Sequence, residues 1–311
     1  MRRRVARSLA AALMLVLPAA SIAEEAPHAT PALWRVKHGS STLYLFGSLH
    51  ILPDGYAWRT PAINAALDES DLFIFEVPVD EAALRDEKEY IIQNGILPRR
   101  QSLRTLLTPT EFETYSAVLR RAGLRPEQFE RYRPWLAAVM VGLAYLHRTD
   151  LASLKGADDE LMDYARDHGH QLLYLESMKE QMDLLTSGDE RGHLRALKNL
   201  IVRLPSSREE EKLLLETWAK GDVSRFTAIL EAYFKDRPEA QELLINRRNR
   251  NWIASFKQFL GRDGATAMVT VGAAHIGGSN GLVALLCREG YEVSLLTSAN
   301  SAGESACAPQ A

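Results

Sequence analysis

Apolar positions fall into three patterns along this chain, each predicting a different kind of element. Aromatic and branched residues gather in Trp34-Arg35-Val36 and Leu43-Tyr44-Leu45-Phe46 on either side of His38-Gly39-Ser40, which predicts two short strands around a turn between Leu33 and His50. Three further apolar runs predict strands: Asp71–Val77, Gln171–Glu176 and Thr266–Val271, with a last one at Tyr291–Leu296. From about residue 80 to 260, leucines and alanines recur at three- and four-residue spacing between stops such as Gly95, Pro98, Gly123, Pro134 and Gly221, which predicts helices. Shorter helices are expected at Pro61–Leu67, Asp158–His168 and up to Arg288. The expected fold is mixed α/β, a central sheet carrying a large helical insertion, within a single domain over residues 24–311.

The third pattern is at the start. A basic opening (Arg2, Arg3, Arg4, Arg7) leads into the apolar run Leu9–Leu17, then Pro18 and Ser21-Ile22-Ala23. That order reads as a secretory signal peptide over residues 1–23, cut after Ala23. The run is about ten residues, half the roughly twenty that span a bilayer core, so no stable membrane anchor is expected after cleavage. The expected location is periplasmic or secreted. Removing the leader takes four arginines and no acids, moving the formal charge from −3 to −7. An acidic body argues against a nucleic-acid partner, which needs a basic face. Both cysteines, Cys287 and Cys307, sit near the C-terminus; outside the cytoplasm a disulfide that pins the tail is the default, free thiols the alternative.

Two predicted strands run straight into Gly-x-x-His, at Gly47–His50 and Gly272–His275. A glycine at a strand end turns the chain and presents the imidazole at the rim of an open sheet, where such folds bind ligands. Glu76 and Glu176 close two further strands, so one rim would gather two imidazoles and two carboxylates. That donor set suits zinc, manganese, cobalt or iron, and a carboxylate not used as ligand can act as base. Each residue taken alone is more simply a strand-end cap. The stretch Gly277–Gly281 matches Gly-x-Ser-x-Gly, but no histidine follows Ser279, so a serine hydrolase is not expected. His168 and His170 are most simply solvent-facing, and His28, His38, His147 and His193 surface or core residues.

These motifs together resemble the TraB/GumN family, which includes the Tiki-type membrane metalloproteases. The resemblance rests on LYLFGSLH (43–50), FIFEV (73–77), Gly156–Glu160 with Leu175-Glu176 and Gln181, NRRNRNW (246–252) and Val269–Tyr291. It implies a metal-dependent hydrolase acting on peptides or small molecules, or a non-catalytic haem-, metal- or ligand-binding or scaffold protein on the same fold. It also implies that His50, His275 and Glu76 hold the metal, Glu176 serves as base, and Arg248 with Asn249 and Asp158 complete the site, Arg248 stabilising an oxyanion. Arg250-Asn251 repeats the Arg-Asn pair and Asp159 follows Asp158, so both registers are open at this point.

Overall fold

The computed structural model describes residues 29–53, 55–146, 155–204, 208–297 and 300–307. The expected signal peptide over residues 1–23, His28 and His147 lie outside them. The described chain is mixed α/β, with seven strands in one sheet of order β4-β3-β5-β2-β1-β6-β7. The strands are β1 (Leu33–His38), β2 (Ser41–Ser48), β3 (Leu72–Phe75), β4 (Gln171–Tyr174), β5 (Thr266–Gly272), β6 (Glu292–Thr297) and β7 (Asn300–Ser305). Both β3 and β4 are shorter than the apolar runs suggested. β7 was not foreseen: its sequence, NSAGES, carries no apolar alternation, and pairing with β6 makes it a strand.

The sheet has two halves. β4, β3, β5 and β2 run parallel; β2, β1, β6 and β7 alternate. The β1–β2 hairpin turns at Gly39, whose φ of 56° suits glycine. Opposite faces of the parallel half have separate cores. Leu45, Val269 and Ile74 pack with Trp252, Ile253 and Phe256 of the helix Arg247–Leu260. The opposite face carries Phe73 against Tyr164 of the helix Ala157–Asp167, ring centroids 6.0 Å apart, and Phe46 stacked on Trp58 at 5.3 Å.

By its internal contacts the chain divides into two compact units. One holds the sheet, residues 155–175 and everything from Leu213 onward. The other is helical, covering Val77 onward and Glu176–Lys212, and its core gathers Leu103, Tyr115, Leu119, Val141, Leu197 and Ile201. The helices from Val223 to Leu260 thus count with the sheet. Cys287 and Cys307 are joined, Cα atoms 5.4 Å apart, tying the segment after β7 to the helix Leu282–Arg288. By loop entropy such a bridge stabilises by about 3 kcal/mol. Among the described residues no helix is long and apolar enough to cross a membrane.

Candidate functional site

β2, β3 and β5 end side by side. Ser48 lies opposite Gly272, and Phe75 opposite Thr270. Glu76 is therefore the first residue past β3, and His50 and His275 follow their strands within three residues. The parallel register, rather than any one motif, brings these three to one rim. Glycine at 47 has a local reason, since a Cβ there would lie 2.8 Å from Ile276 Cγ1 and 3.0 Å from the Ala273 backbone; Gly272 contributes through its backbone N–H, which donates to Glu76 Oε1 at 2.7 Å.

Below that rim, the helix Arg247–Leu260 supplies one half of the site. Arg248, Asn249, Trp252, Ile253 and Phe256 share its buried face, as helical periodicity requires. Arg248 and Asn249 are thus the site pair; Arg250 is exposed and bonds Glu242, and Asn251 is exposed. Arg248 Nη2 donates to Glu76 Oε2 at 2.7 Å, and Nη1 approaches His275 Nε2 at 3.2 Å and the Leu244 carbonyl at 3.2 Å. Leu244 belongs to a π-helical turn, Glu242–Asn246, directly before the helix. Asn249 Nδ2 donates to the carbonyls of His275 and Asn280, so its Oδ1, 2.6 Å from His275 Nδ1, accepts from that ring. The tautomer follows: His275 carries its proton on Nδ1 and turns a lone pair on Nε2 toward Arg248. Burial first, then the charges of Arg248 and His50, hold its pKa well below the ordinary value, so the ring is neutral. Trp252, four residues past Arg248, packs against His275 at 4.5 Å and under the guanidinium at 4.7 Å. Trp252 was not among the expected site residues; its i,i+4 spacing from Arg248 was the available signal.

On the other face, the helix Ala157–Asp167 supplies the second half. Asp158 Oδ2 lies 2.9 Å from His50 Nδ1. Asp159 instead accepts from the Gly156 N–H, closing the helix start, which separates the roles of the two neighbouring acids. Gly156 is required sterically: a Cβ there would lie 2.4 Å from both His50 C and Leu49 O. The same clamp has Ala157 N–H donating to Leu49 O and Leu52 N–H to Lys155 O, each at 2.9 Å. Burial disfavours the His50 imidazolium, but the charge and hydrogen bond of Asp158, with Glu76 and Asp159, outweigh it and raise its pKa to about 9. His50 Nε2, Asp158 Oδ1, Ser48 Oγ and Thr270 Oγ1 are buried with no hydrogen-bond partner among the described residues.

Glu176 follows β4 by two residues, is half-buried, and is the first residue of its stretch of the helical unit. His168 stacks on Tyr164, and His193 Nε2 bonds the Ser187 carbonyl, so both have local structural roles.

A divalent metal on His50, Glu76 and His275 meets a donor set that fits in chemistry and orientation. Each imidazole is anchored through Nδ1, to Asp158 and to Asn249, and Glu76 through Oε1, to Gly272, which leaves both Nε2 atoms and Oε2 as the remaining donors. Separation is where it does not fit: among the described residues no three His, Cys, Asp or Glu side chains are grouped closely enough to hold a metal ion. Two of the three donor atoms instead serve Arg248.

An open sheet whose parallel strands deliver paired Gly-x-x-His imidazoles and Glu76 to one rim, where the helix Arg247–Leu260 adds Arg248, makes this an α/β protein with a strand-end polar site. The chain belongs to the TraB/PrgY/gumN family, whose model matches residues 32–295. No match was found among curated proteins or among solved structures.

Proposed function

We propose that this chain is an exported hydrolase built on His50, His275, Glu76 and Arg248, whose substrates are peptides or small molecules with a scissile carbonyl; a divalent transition metal, manganese, cobalt or zinc, would sit on His50, His275 and Glu76 only if those side chains drew closer than they stand. The observation that carries the reading is His50: its Nδ1 is held by Asp158 while its buried Nε2 has no partner among the described residues. A carboxylate–imidazole pair with one free ring nitrogen is the arrangement metal-binding histidines use. His275 supports it from the other side, since a neutral ring fixed by Asn249 is the form a metal binds. A bound metal would supply an acidified water and polarise the carbonyl. The chain's own residues set the geometry: Asp158 and Asn249 orient the rings, Gly272 holds Glu76, and Arg248 brings a buried positive charge that faces negative charge developing on the carbonyl oxygen. The disulfide supports a location outside the cytoplasm.

One observation favours a second reading, a protein that binds metal, haem or another ligand without turnover. In the sheet unit both site carboxylates are engaged, Glu76 through both oxygens, to Arg248 and Gly272, and Asp158 through Oδ2, to His50, so neither is a wholly spare base. The deciding experiment is elemental analysis and metal titration on wild type, His50→Ala and His275→Ala, followed by a peptide-hydrolysis panel with and without chelator. One metal per chain, lost in both variants, with chelator-sensitive cleavage establishes the hydrolase; the same metal without cleavage establishes the binder. A wild type that takes up no metal removes the metal from both readings.

A further inference from the structure

The stretch Gly277–Gly281, just after His275, walls a cleft of about 390 Å³, open mouth included, within the sheet unit. That is the lower part of the size range of small-ligand pockets, roughly 300–1,000 Å³. The facing wall is the helix Val223–Phe234, which comes this close because the loop lacks side chains: a Cβ at Gly277 would overlap Thr227 Oγ1, and one at Gly278 would lie 3.1 Å from Thr227 Cγ2. The lining divides by chemistry. Leu230, Phe234 and Ile245 are buried and form an apolar side. Glu231 is the single charged side chain among the described residues of the lining. Its Oε1 stands 3.6 Å from where a Gly278 Cβ would be, and its carboxylate bonds no described residue. The N–H groups of Gly277, Gly278 and Ser279 likewise donate to no described acceptor. The cleft adjoins the closed polar network: the Asn280 carbonyl accepts from Asn249, and Ile245 follows Leu244, whose carbonyl accepts from Arg248.

We propose that this cleft binds the amino-terminal residue of a peptide: Glu231 pairs with the α-ammonium, the loop amides donate to the first carbonyl oxygen, and Leu230, Phe234 and Ile245 receive an apolar side chain. A carboxylate in a cleft without a cation attracts a positive ligand and repels a negative one. Amide donors on the neighbouring loop call for an acceptor oxygen on that ligand, which a simple amine lacks. The apolar side adds affinity for a hydrocarbon side chain in proportion to the surface it covers. A cationic amine, a carbonyl oxygen and a side chain on successive atoms are what the first residue of a peptide carries. As a specificity site for cleavage the cleft rests on the peptide-hydrolase reading above; as a binding site it requires no turnover.

The test is NMR titration of the protein with four probes: Leu-Gly-Gly amide, its N-acetylated form, Glu-Gly-Gly amide, and N-acetyl-lysine amide, whose amine is on a side chain. Wild type is compared with Glu231→Gln and, as a control for charge alone, with Glu239→Gln, both at exposed positions, and the same peptides are then assayed for cleavage. The expected result is that Leu-Gly-Gly amide binds, that acetylation or Glu231→Gln each weakens it about ten-fold, and that Glu239→Gln changes it about two-fold or less. The acetylated peptide should be indifferent to Glu231→Gln, because the partner of that carboxylate is already gone. Glu-Gly-Gly amide should bind about ten-fold more weakly than Leu-Gly-Gly amide. Equal affinity for free and acetylated peptides, equal affinity in wild type and Glu231→Gln, N-acetyl-lysine amide binding as tightly as Leu-Gly-Gly amide, or no peptide bound at all overturns the amino-terminal site. The two readings fail separately. Peptide bound through Glu231, with neither it nor a wider peptide panel cut, removes the hydrolase and keeps the cleft; cleavage indifferent to acetylation and to Glu231→Gln keeps the hydrolase and removes the cleft.

Discussion

The two halves of the site are built from the same materials and finished differently. On the face of the Arg247–Leu260 helix, Glu76, Arg248, Asn249 and His275 bond one another into a closed network. On the face of the Ala157–Asp167 helix, His50 and Asp158 bond each other once, and beside them stand unpartnered atoms on His50, Asp158, Ser48 and Thr270. Unmet buried polar groups are costly, each on the order of 1–3 kcal/mol, so a fold that keeps four at one strand-end rim points to a place where something else binds. The closed half is satisfied by its own side chains; the open half, among the described residues, is not.

The sharpest way to break this contrast is to open the closed half. Arg248→Gln leaves Glu76 and His275 without their cation, and urea unfolding should show a loss of about 3–5 kcal/mol, the cost of stranding one member of a buried ion pair. A loss under about 1 kcal/mol would mean that the network contributes little. Next in size is Gly156→Ala, which forces a methyl group onto the His50 and Leu49 backbone; about 1–3 kcal/mol should be lost, and with it the His50–Asp158 bond.

Smaller, but more discriminating, is pH, because the two imidazoles respond with opposite sign. His50 has its folded pKa raised to about 9, so its contribution to stability is full below the ordinary histidine value and is lost as pH rises from there through 9. His275 has its pKa lowered; the unfolded chain takes up a proton that the native ring refuses, so its contribution is present above the ordinary value and lost as pH falls below it. With chelator present, unfolding free energy against pH should fall on both sides. Asp158→Asn should flatten only the alkaline side and bring the His50 titration seen by NMR below 9. Flattening of both limbs would show that the halves are one network. The smallest effect is expected at Thr270→Val, a nearly isosteric change at a buried hydroxyl with no partner among the described residues: within about 1 kcal/mol of wild type, against a clear loss if the hydroxyl holds a bound water.

Much of this is legible in the chain. The parallel strands announce themselves as apolar runs, and two of them lead into glycine and histidine, so the amino-acid pattern alone singles out His50, His275 and Glu76. Glu176 is singled out the same way, but it belongs to the helical unit, and its position at a strand end does not by itself decide its role. The choice between Arg248 and Arg250 is in principle readable too, since Trp252, Ile253 and Phe256 set the buried face of the helix. β7 is not readable, because its strand character comes from pairing with β6 rather than from its own composition.

By itself, then, the sequence determined which side chains can do chemistry and which elements carry them, because hydrophobic periodicity is local and strand and helix obey it locally. It could not determine who bonds whom. That His50 goes to Asp158, 108 residues away, and Glu76 to Arg248, 172 residues away, is decided by strand order and by which helix covers which face of the sheet. The same packing makes one histidine neutral and gives the other a raised pKa, since burial and neighbouring charge, not residue type, set where a proton rests.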